Sequence, residues 1–207
     1  MQGKEERLGL FGGSFNPVHL GHLVMAQDAL ERFSLDRVLF VPASTPPHKS
    51  GAALLAAEHR IEMLRIAVQD DSRFEVSDEE IRRGGVSYSV DTIRAMKDRY
   101  PKARLHFIVG GDTLRELRTW KSIEEILTLC EIITVARPGE TLANVPPESL
   151  GVPEAHAKRL LKNVVMGHLM DISSTDIRQR VVRGQSIRYL VPAGVEQYIA
   201  SRRLYAS

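Results

Sequence analysis

Two histidines three residues apart, His19 and His22, follow a Gly12-Gly13-Ser14-Phe15-Asn16-Pro17 stretch, and that grouping suits the binding of an anion. The apolar run Leu8 to Phe11 before it reads as a buried strand, and Leu23 to Phe33 after it reads as a helix, so the stretch is a strand-to-helix turn. In open α/β sheets such turns lie at the carboxyl edge, where a helix start offers unpaired N–H groups and a positive dipole end to phosphate. Gly12 and Gly13 let a ligand approach the backbone, Pro17 stiffens the turn, and residues three apart on a helix share a face. Both imidazoles can therefore point at one anionic group. Plainer readings exist for each part: a Gly-Gly pair alone is only a turn, and two such histidines fit surface positions or half of a metal site. The conjunction in one junction is more specific. It is neither a Walker A loop nor a Gly-x-Gly-x-x-Gly fingerprint, because the residues those devices require are absent.

A second cluster stands near the other end, in Ile172-Ser173-Ser174-Thr175-Asp176-Ile177-Arg178. With Ser173 as N-cap, Asp176 falls at the third helical position, and Ile172 and Ile177 take the positions of a hydrophobic staple. Capping accounts for Ser173 and Asp176 but not for Arg178, read here on the first turn, because a cation near a helix N-terminus opposes the dipole. A bound anion offsets that cost. The helix-start N–H groups, the hydroxyls of Ser174 and Thr175, and Arg178 together suit phosphate.

The elements that must position these groups alternate along the chain. Arg37 to Pro42 reads as a strand buried on both faces, followed by a Pro- and Gly-bearing loop, 43–51, that carries His48 and Lys49. Helical spacing marks Glu58 to Val68, with a short strand over Arg73 to Ser77 and a short helix over Glu79 to Arg83. A further helix, N-capped by Ser89, runs to Tyr100 at Pro101. The strand Arg104 to Val109 ends in Gly110-Gly111-Asp112, where Asp112 fits either an N-cap or an acceptor for ribose hydroxyls. Trp120, the single tryptophan, reads on its own as a core residue. Glu131 to Ala136 is another strand, 140–163 an irregular insertion with a helix near Ala155 to Leu161, Val164 to Met170 a final strand, and Val195 to Leu204 a closing helix. Strands alternating with helices predict a single α/β domain over 1–207. Its architecture is a Rossmann-like, doubly wound, mostly parallel sheet with helices on both faces and right-handed crossovers.

Composition narrows the function classes. The 207 residues, 43% hydrophobic and 26% charged, are enough for one core. With 28 basic against 26 acidic side chains the net charge is only +2, which argues against a protein that coats nucleic acid. One cysteine, Cys130, excludes an internal disulfide or a cysteine-rich zinc site. The polar N-terminus and the lack of any run of about 18 apolar residues predict a soluble, cytoplasmic protein without a membrane partner. A homo-oligomer is compatible with the sequence.

Gly12 to His22, with its His19-Leu20-Gly21-His22 element, resembles the HxGH signature of the nucleotidyltransferase superfamily, and Ile172 to Arg178 resembles that superfamily's second signature. Over essentially the whole length the chain is similar to nicotinate mononucleotide adenylyltransferases. The resemblance implies that Gly12, Gly13, Ser14, Phe15, His19 and His22 bind ATP from one side. Gly110 and Asp112 would hold its sugar, and Ile172, Ser173, Ser174 and Arg178 its outer phosphates, with His19, His22 and Arg178 as the catalytic groups. It implies that His48 and Lys49, Tyr88 and Ser89, and a stacking Trp120 hold nicotinate mononucleotide. The implied reaction is direct in-line attack of the mononucleotide phosphate on ATP, without a covalent intermediate, giving nicotinate adenine dinucleotide and pyrophosphate. Mg²⁺ would be held by the phosphates, with no metal ligand from the protein. Three departures are small: Ser14 and Asn16 stand where the family usually has threonine and aspartate, and Ser89 where threonine is common. Two other readings share the signatures, namely a sister enzyme acting on phosphopantetheine or transferring cytidylyl groups, and a non-catalytic nucleotide sensor.

Overall fold

Six parallel strands form one sheet in the order β3-β2-β1-β4-β5-β6. They are β1 (Arg7–Gly13), β2 (Arg37–Pro42), β3 (Phe74–Val76), β4 (Arg104–Gly110), β5 (Glu131–Ala136) and β6 (Val164–Met166). This computed structural model describes residues 5–47, 54–136 and 145–206. His48 and Lys49 lie outside the described residues.

The strands are contiguous apolar runs because both faces of the sheet are covered. Side chains alternate between faces, so Leu8 and Leu10 of β1, Leu39 and Val41 of β2, and Leu105, Phe107 and Val109 of β4 share one buried cluster. Onto that face pack α4 (Ser89–Arg99), α6 (Ile123–Leu129) and α7 (Glu154–Lys162), through residues such as Ile93, Met96, Leu127 and Leu160. The intervening Phe11, Val38, Phe40, Ile108 and Ile133 form the opposite cluster, covered by α1 (Leu20–Arg32), α2 (Ala57–Val68), α8 (Ser174–Val182) and α9 (Ala193–Ser201). Two short helices, α3 (Glu79–Arg83) and α5 (Gly111–Glu116), complete the set among the described residues.

Several elements differ from the sequence-based expectation. The strand expected to reach Met170 stops at Met166, because the Gly167 N–H still bonds the Ala136 carbonyl at 2.9 Å but the chain is then drawn onto α1 through His168. Helix α7 lies where a helix was expected within an irregular stretch, and with Leu150 it contributes buried Ala157 and Leu160 to the core. Tyr88, not Ser89, is the N-cap of α4: its extended backbone presents the carbonyl that accepts from the Asp91 and Thr92 N–H groups.

The sheet order reverses between the central strands β1 and β4, from which the chain winds outward in opposite directions, to β2 and β3 and to β5 and β6. A crevice opens at such a switch point, between the loops that leave the carboxyl ends of neighbouring strands in opposite directions. Those loops start α1 and α5.

Candidate active site

A cleft of about 790 Å³ occupies that switch point, lined among others by Gly12, Gly13, Ser14, His19 and His22 from the first turn. Gly110 and Asp112, Ser89 and Trp120, and Ile172, Ser173, Ser174 and Arg178 line the same space. Residues 160 positions apart in sequence are therefore brought to one cavity.

His19 is the N-cap of α1, with an extended backbone, and His22 is the third helical residue. The His19 N–H donates to His22 Nδ1 at 3.2 Å. Since Nδ1 of His22 accepts, the neutral ring carries its hydrogen on Nε2, a donor. The two imidazoles stack with centroids 3.7 Å apart and planes 30° from parallel. Gly21 permits this, because a Cβ there would sit 3.1 Å from His19 Nδ1. Beneath His22 lies Phe15, its ring centroid 5.0 Å away in an edge-on contact. Phe15 is 1% exposed and does not line the cleft; its ring is a core plug that supports His22, with the backbone in the left-handed region at φ 45°.

Ser173 caps α8, its hydroxyl oxygen accepting from the Asp176 N–H at 3.1 Å. The second signature is bonded directly to the first: Ser174 Oγ donates to the Pro17 carbonyl at 2.8 Å, and Arg178 Nη1 donates to the Asn16 carbonyl at 2.8 Å. Arg178 Nη2 also reaches Thr175 Oγ1 at 3.2 Å. Arg178 stands on the second turn of α8, not the first, so the dipole penalty expected there is weak. The carbonyl of Asn16 is an additional reason for a guanidinium at this position.

The turn is held from behind by side chains that sequence reasoning missed. Arg60, 1% exposed, donates through Nη1 to the Ser14 carbonyl at 3.0 Å and through Nε to the Leu55 carbonyl at 2.9 Å. Asn16 Oδ1 accepts from the Tyr205 hydroxyl at 2.9 Å and the Leu55 N–H at 3.4 Å. Burial pushes the Tyr205 phenol pKa up, which keeps it a donor. No local motif marks these partners, because each arrives from a distant element.

Trp120 stands edge-on to Phe107 of β4, centroids 5.7 Å apart, and Ser89 opens α4. Tyr88 is not on the cleft wall; its ring lies under Lys121, with Nζ 4.2 Å from the centroid. Glu80, 5% exposed, does line the cleft, and it accepts from the hydroxyls of Thr92 and Ser87. Burial raises its pKa against the lowering effect of those bonds. At the end of β4, Asp112 is the second residue of α5, exposed in the first turn and not an N-cap.

The sheet order, the paired histidines and the second signature define a nucleotidyltransferase-type α/β protein. The family described as Cytidylyltransferase-like matches residues 10–180. A protein named "Probable nicotinate-nucleotide adenylyltransferase" from Citrifermentans bemidjiense is 48% identical over 214 residues, covering 96% of this chain and 98% of its own length. One of the same name from Desulfitobacterium hafniense is 44% identical over 205 residues, covering 97% and 96%. Among solved structures, Plasmodium falciparum nicotinic acid mononucleotide adenylyltransferase complexed with NaAD superposes with a TM-score of 0.73 at 18% identity, covering 97% of each chain, which shows a shared fold. The chain belongs to the cytidylyltransferase-like family and, within it, to the nicotinate-nucleotide adenylyltransferases. No helix among the described residues is long and apolar enough to cross a membrane.

Proposed function

We propose that this protein transfers the adenylyl group of ATP to nicotinate mononucleotide, releasing pyrophosphate and forming nicotinate adenine dinucleotide. The observation that carries the reading is the direct bonding of the two signatures, Ser174 to Pro17 and Arg178 to Asn16, which aims the starts of α1 and α8 into one cleft. Positive dipole ends and N–H groups from two helices converge where a triphosphate would lie.

In this reading the acceptor's 5′-phosphate attacks the α-phosphorus in line. Positioning and charge stabilisation do most of such work, and no protein nucleophile is required. His22 donates from Nε2 and His19 stacks against it, so both imidazoles face the α- and β-phosphates. Ser174 spends its hydroxyl hydrogen on Pro17, so it offers phosphate its backbone N–H, while Arg178 adds positive charge. The groups at this end are donors and cations, which suit phosphate oxygens and not a metal ion. Among the described residues no cluster of three or more His, Cys, Asp or Glu side chains could hold a metal. Mg²⁺ is expected to arrive on the triphosphate, where it would neutralise phosphate charge. At the other end Trp120 would stack on the pyridine ring and the start of α4, with Ser89, would take its carboxylate. His48 and Lys49 are assigned to the acceptor by resemblance.

The test is pyrophosphate release from ATP and Mg²⁺ with nicotinate mononucleotide, nicotinamide mononucleotide or phosphopantetheine, with His19→Ala as the blank. Release with nicotinate mononucleotide, lost in the variant, is the expected result. Release with phosphopantetheine alone would overturn the roles of Ser89 and Trp120, and binding of ATP without release from any acceptor would leave a nucleotide sensor.

A further inference from the structure

Beyond Gly110, toward β5 and β6, the cleft wall holds a pair that the reaction above leaves unassigned. Asp28, on α1, is 5% exposed, and both its carboxylate oxygens accept from a single residue. Oδ2 takes the His168 backbone N–H at 2.8 Å, and Oδ1 takes the His168 ring at Nδ1, 2.7 Å away. The His168 side chain is 73% exposed, yet it lines the same cleft. Only glycine fits before it: a Cβ on Gly167 would lie 2.5 Å from Val135 Cγ1 and 2.9 Å from Asp28 Oδ2. Anchoring the loop needs only the backbone bond. The second bond orients the ring.

That orientation has a chemical sign. An ionised carboxylate can only accept, so His168 Nδ1 carries the hydrogen, and in the neutral imidazole Nε2 is left as an acceptor. The order of strands places this acceptor. The phosphate-facing histidines follow β1 and Asp112 follows β4, so a nucleoside extending past the sugar contact runs toward the ends of β5 and β6. Along α1, Asp28 stands beyond His22 by roughly 9 Å at about 1.5 Å per residue, the reach of a nucleoside. Met25 and Met170 line the cleft there as well, and thioethers make favourable walls for a flat ring.

We infer that His168, oriented by Asp28, reads the nucleobase of the nucleoside triphosphate, with Nε2 accepting from a 6-amino group. This rests on the nucleotidyl-transfer reading proposed above. His168 is then a binding residue that favours a 6-amino purine over a 6-oxo purine, and Asp28 is a positioning residue that acts through it.

The experiment compares ATP with inosine triphosphate, which carries a 6-oxo group, in the wild type, His168→Ala and Asp28→Asn. Pyrophosphate release gives kcat and KM, and calorimetry gives binding without turnover. The wild type is expected to prefer ATP by about tenfold or more, the worth of one hydrogen bond with a mismatched alternative. In His168→Ala the ratio should fall toward one, with the change carried in KM for ATP. Asp28→Asn should go further, because an amide whose oxygen keeps the backbone N–H turns its NH₂ toward the ring. Nδ1 then becomes the acceptor and Nε2 the donor, so the preference shifts toward inosine triphosphate. A merely structural latch would weaken both nucleotides together. An ATP preference unchanged in His168→Ala, or an Asp28→Asn variant that loses both nucleotides equally, overturns the inference. No release from nicotinate mononucleotide, with the calorimetric preference intact and lost in His168→Ala, would instead defeat the proposed reaction and leave the base-reading role standing.

Discussion

Arg178 on α8 donates to the backbone carbonyl of Asn16, 2.8 Å away, so a side chain of the second signature closes on the turn of the first. The same guanidinium lines the cleft, and its planar fork can hold the turn while it presents donors to the phosphate proposed to lie there. Lysine cannot do both. Arg178→Lys should lower kcat/KM for ATP by about 10-fold and Arg178→Ala by about 100-fold or more, on the scale of losing a transition-state donor. Steady-state kinetics check this, with circular dichroism showing whether the fold survives. Equal activity in Arg178→Ala would remove Arg178 from the phosphate site.

Asn16 serves the turn from the opposite side. Its Oδ1 is the acceptor for the Tyr205 hydroxyl and the Leu55 N–H, and Asn16 is only 4% exposed. Asn16→Ala would strand both donors, at about 1–3 kcal/mol for each one left unsatisfied. Tyr205→Phe should cost less, about 1 kcal/mol, because the Leu55 bond remains. Asn16→Asp keeps the acceptor oxygen and should stay close to the wild type in its bond to Tyr205. Urea denaturation of the three variants ranks them; an Asn16→Ala protein as stable as Tyr205→Phe would contradict this accounting.

These contacts mark where the sequence stops being legible. Strand β2 could be read from its unbroken Val38-Leu39-Phe40-Val41, and the start of α8 from Ser173 and Asp176, because both signals are local and physical. The cleft's main residues were legible for the same reason: glycines, histidines and a capped helix at strand ends require a sheet edge. Side-chain aim was not. Tyr88 and Trp120 were both assigned to the acceptor by resemblance, Trp120 as the stacking ring, yet packing turns Tyr88 under Lys121 while Trp120 lines the cleft. Arg60, Tyr205 and the Asp28–His168 pair escaped notice because each meets its partner only after the chain has wound across the sheet.

Glu80 predicts a separation of stability from binding at the end of the cleft proposed for the acceptor. Its carboxyl receives hydroxyls from Thr92 and Ser87, Ser87 Oγ accepts the Ser44 N–H at 2.8 Å, and the start of α4 is thereby tied to the loop after β2. Because burial raises its pKa in the fold, the stability it gives is fullest at low pH and is lost as pH rises through the folded value. Glu80→Gln mimics the neutral acid, so it should hold its stability at high pH better than the wild type. Glu80→Ala should lose about 1–3 kcal/mol and raise KM for the pyridine mononucleotide more than for ATP. Urea midpoints across pH and the two KM values give the answer. Equal rises in both KM values would mean that the cluster supports the whole cleft and not its acceptor end.

His106 predicts the opposite slope, far from the cleft. It lies on β4, 2% exposed, opposite Gly9 of β1 and Glu131 of β5, and its Nδ1 is 3.0 Å from the Arg104 carbonyl. Burial first, and the nearby Arg7 guanidinium second, disfavour the protonated ring and bring its pKa down to about 4. An unfolded histidine takes up its proton near 6.5. Between those values the unfolded chain binds more protons than the folded one, so stability falls as pH drops through the window. The loss should be on the order of 1–2 kcal/mol, below the full value because solvent and counter-ions screen part of it. His106→Asn cannot be protonated in this range and should be less sensitive to acid. Carboxylates elsewhere also titrate there, so the quantity to measure is the difference in unfolding free energy between wild type and variant from about pH 7 to pH 4. That difference should move steadily in the variant's favour as pH falls; a constant difference would show that His106 is protonated as readily in the fold as out of it.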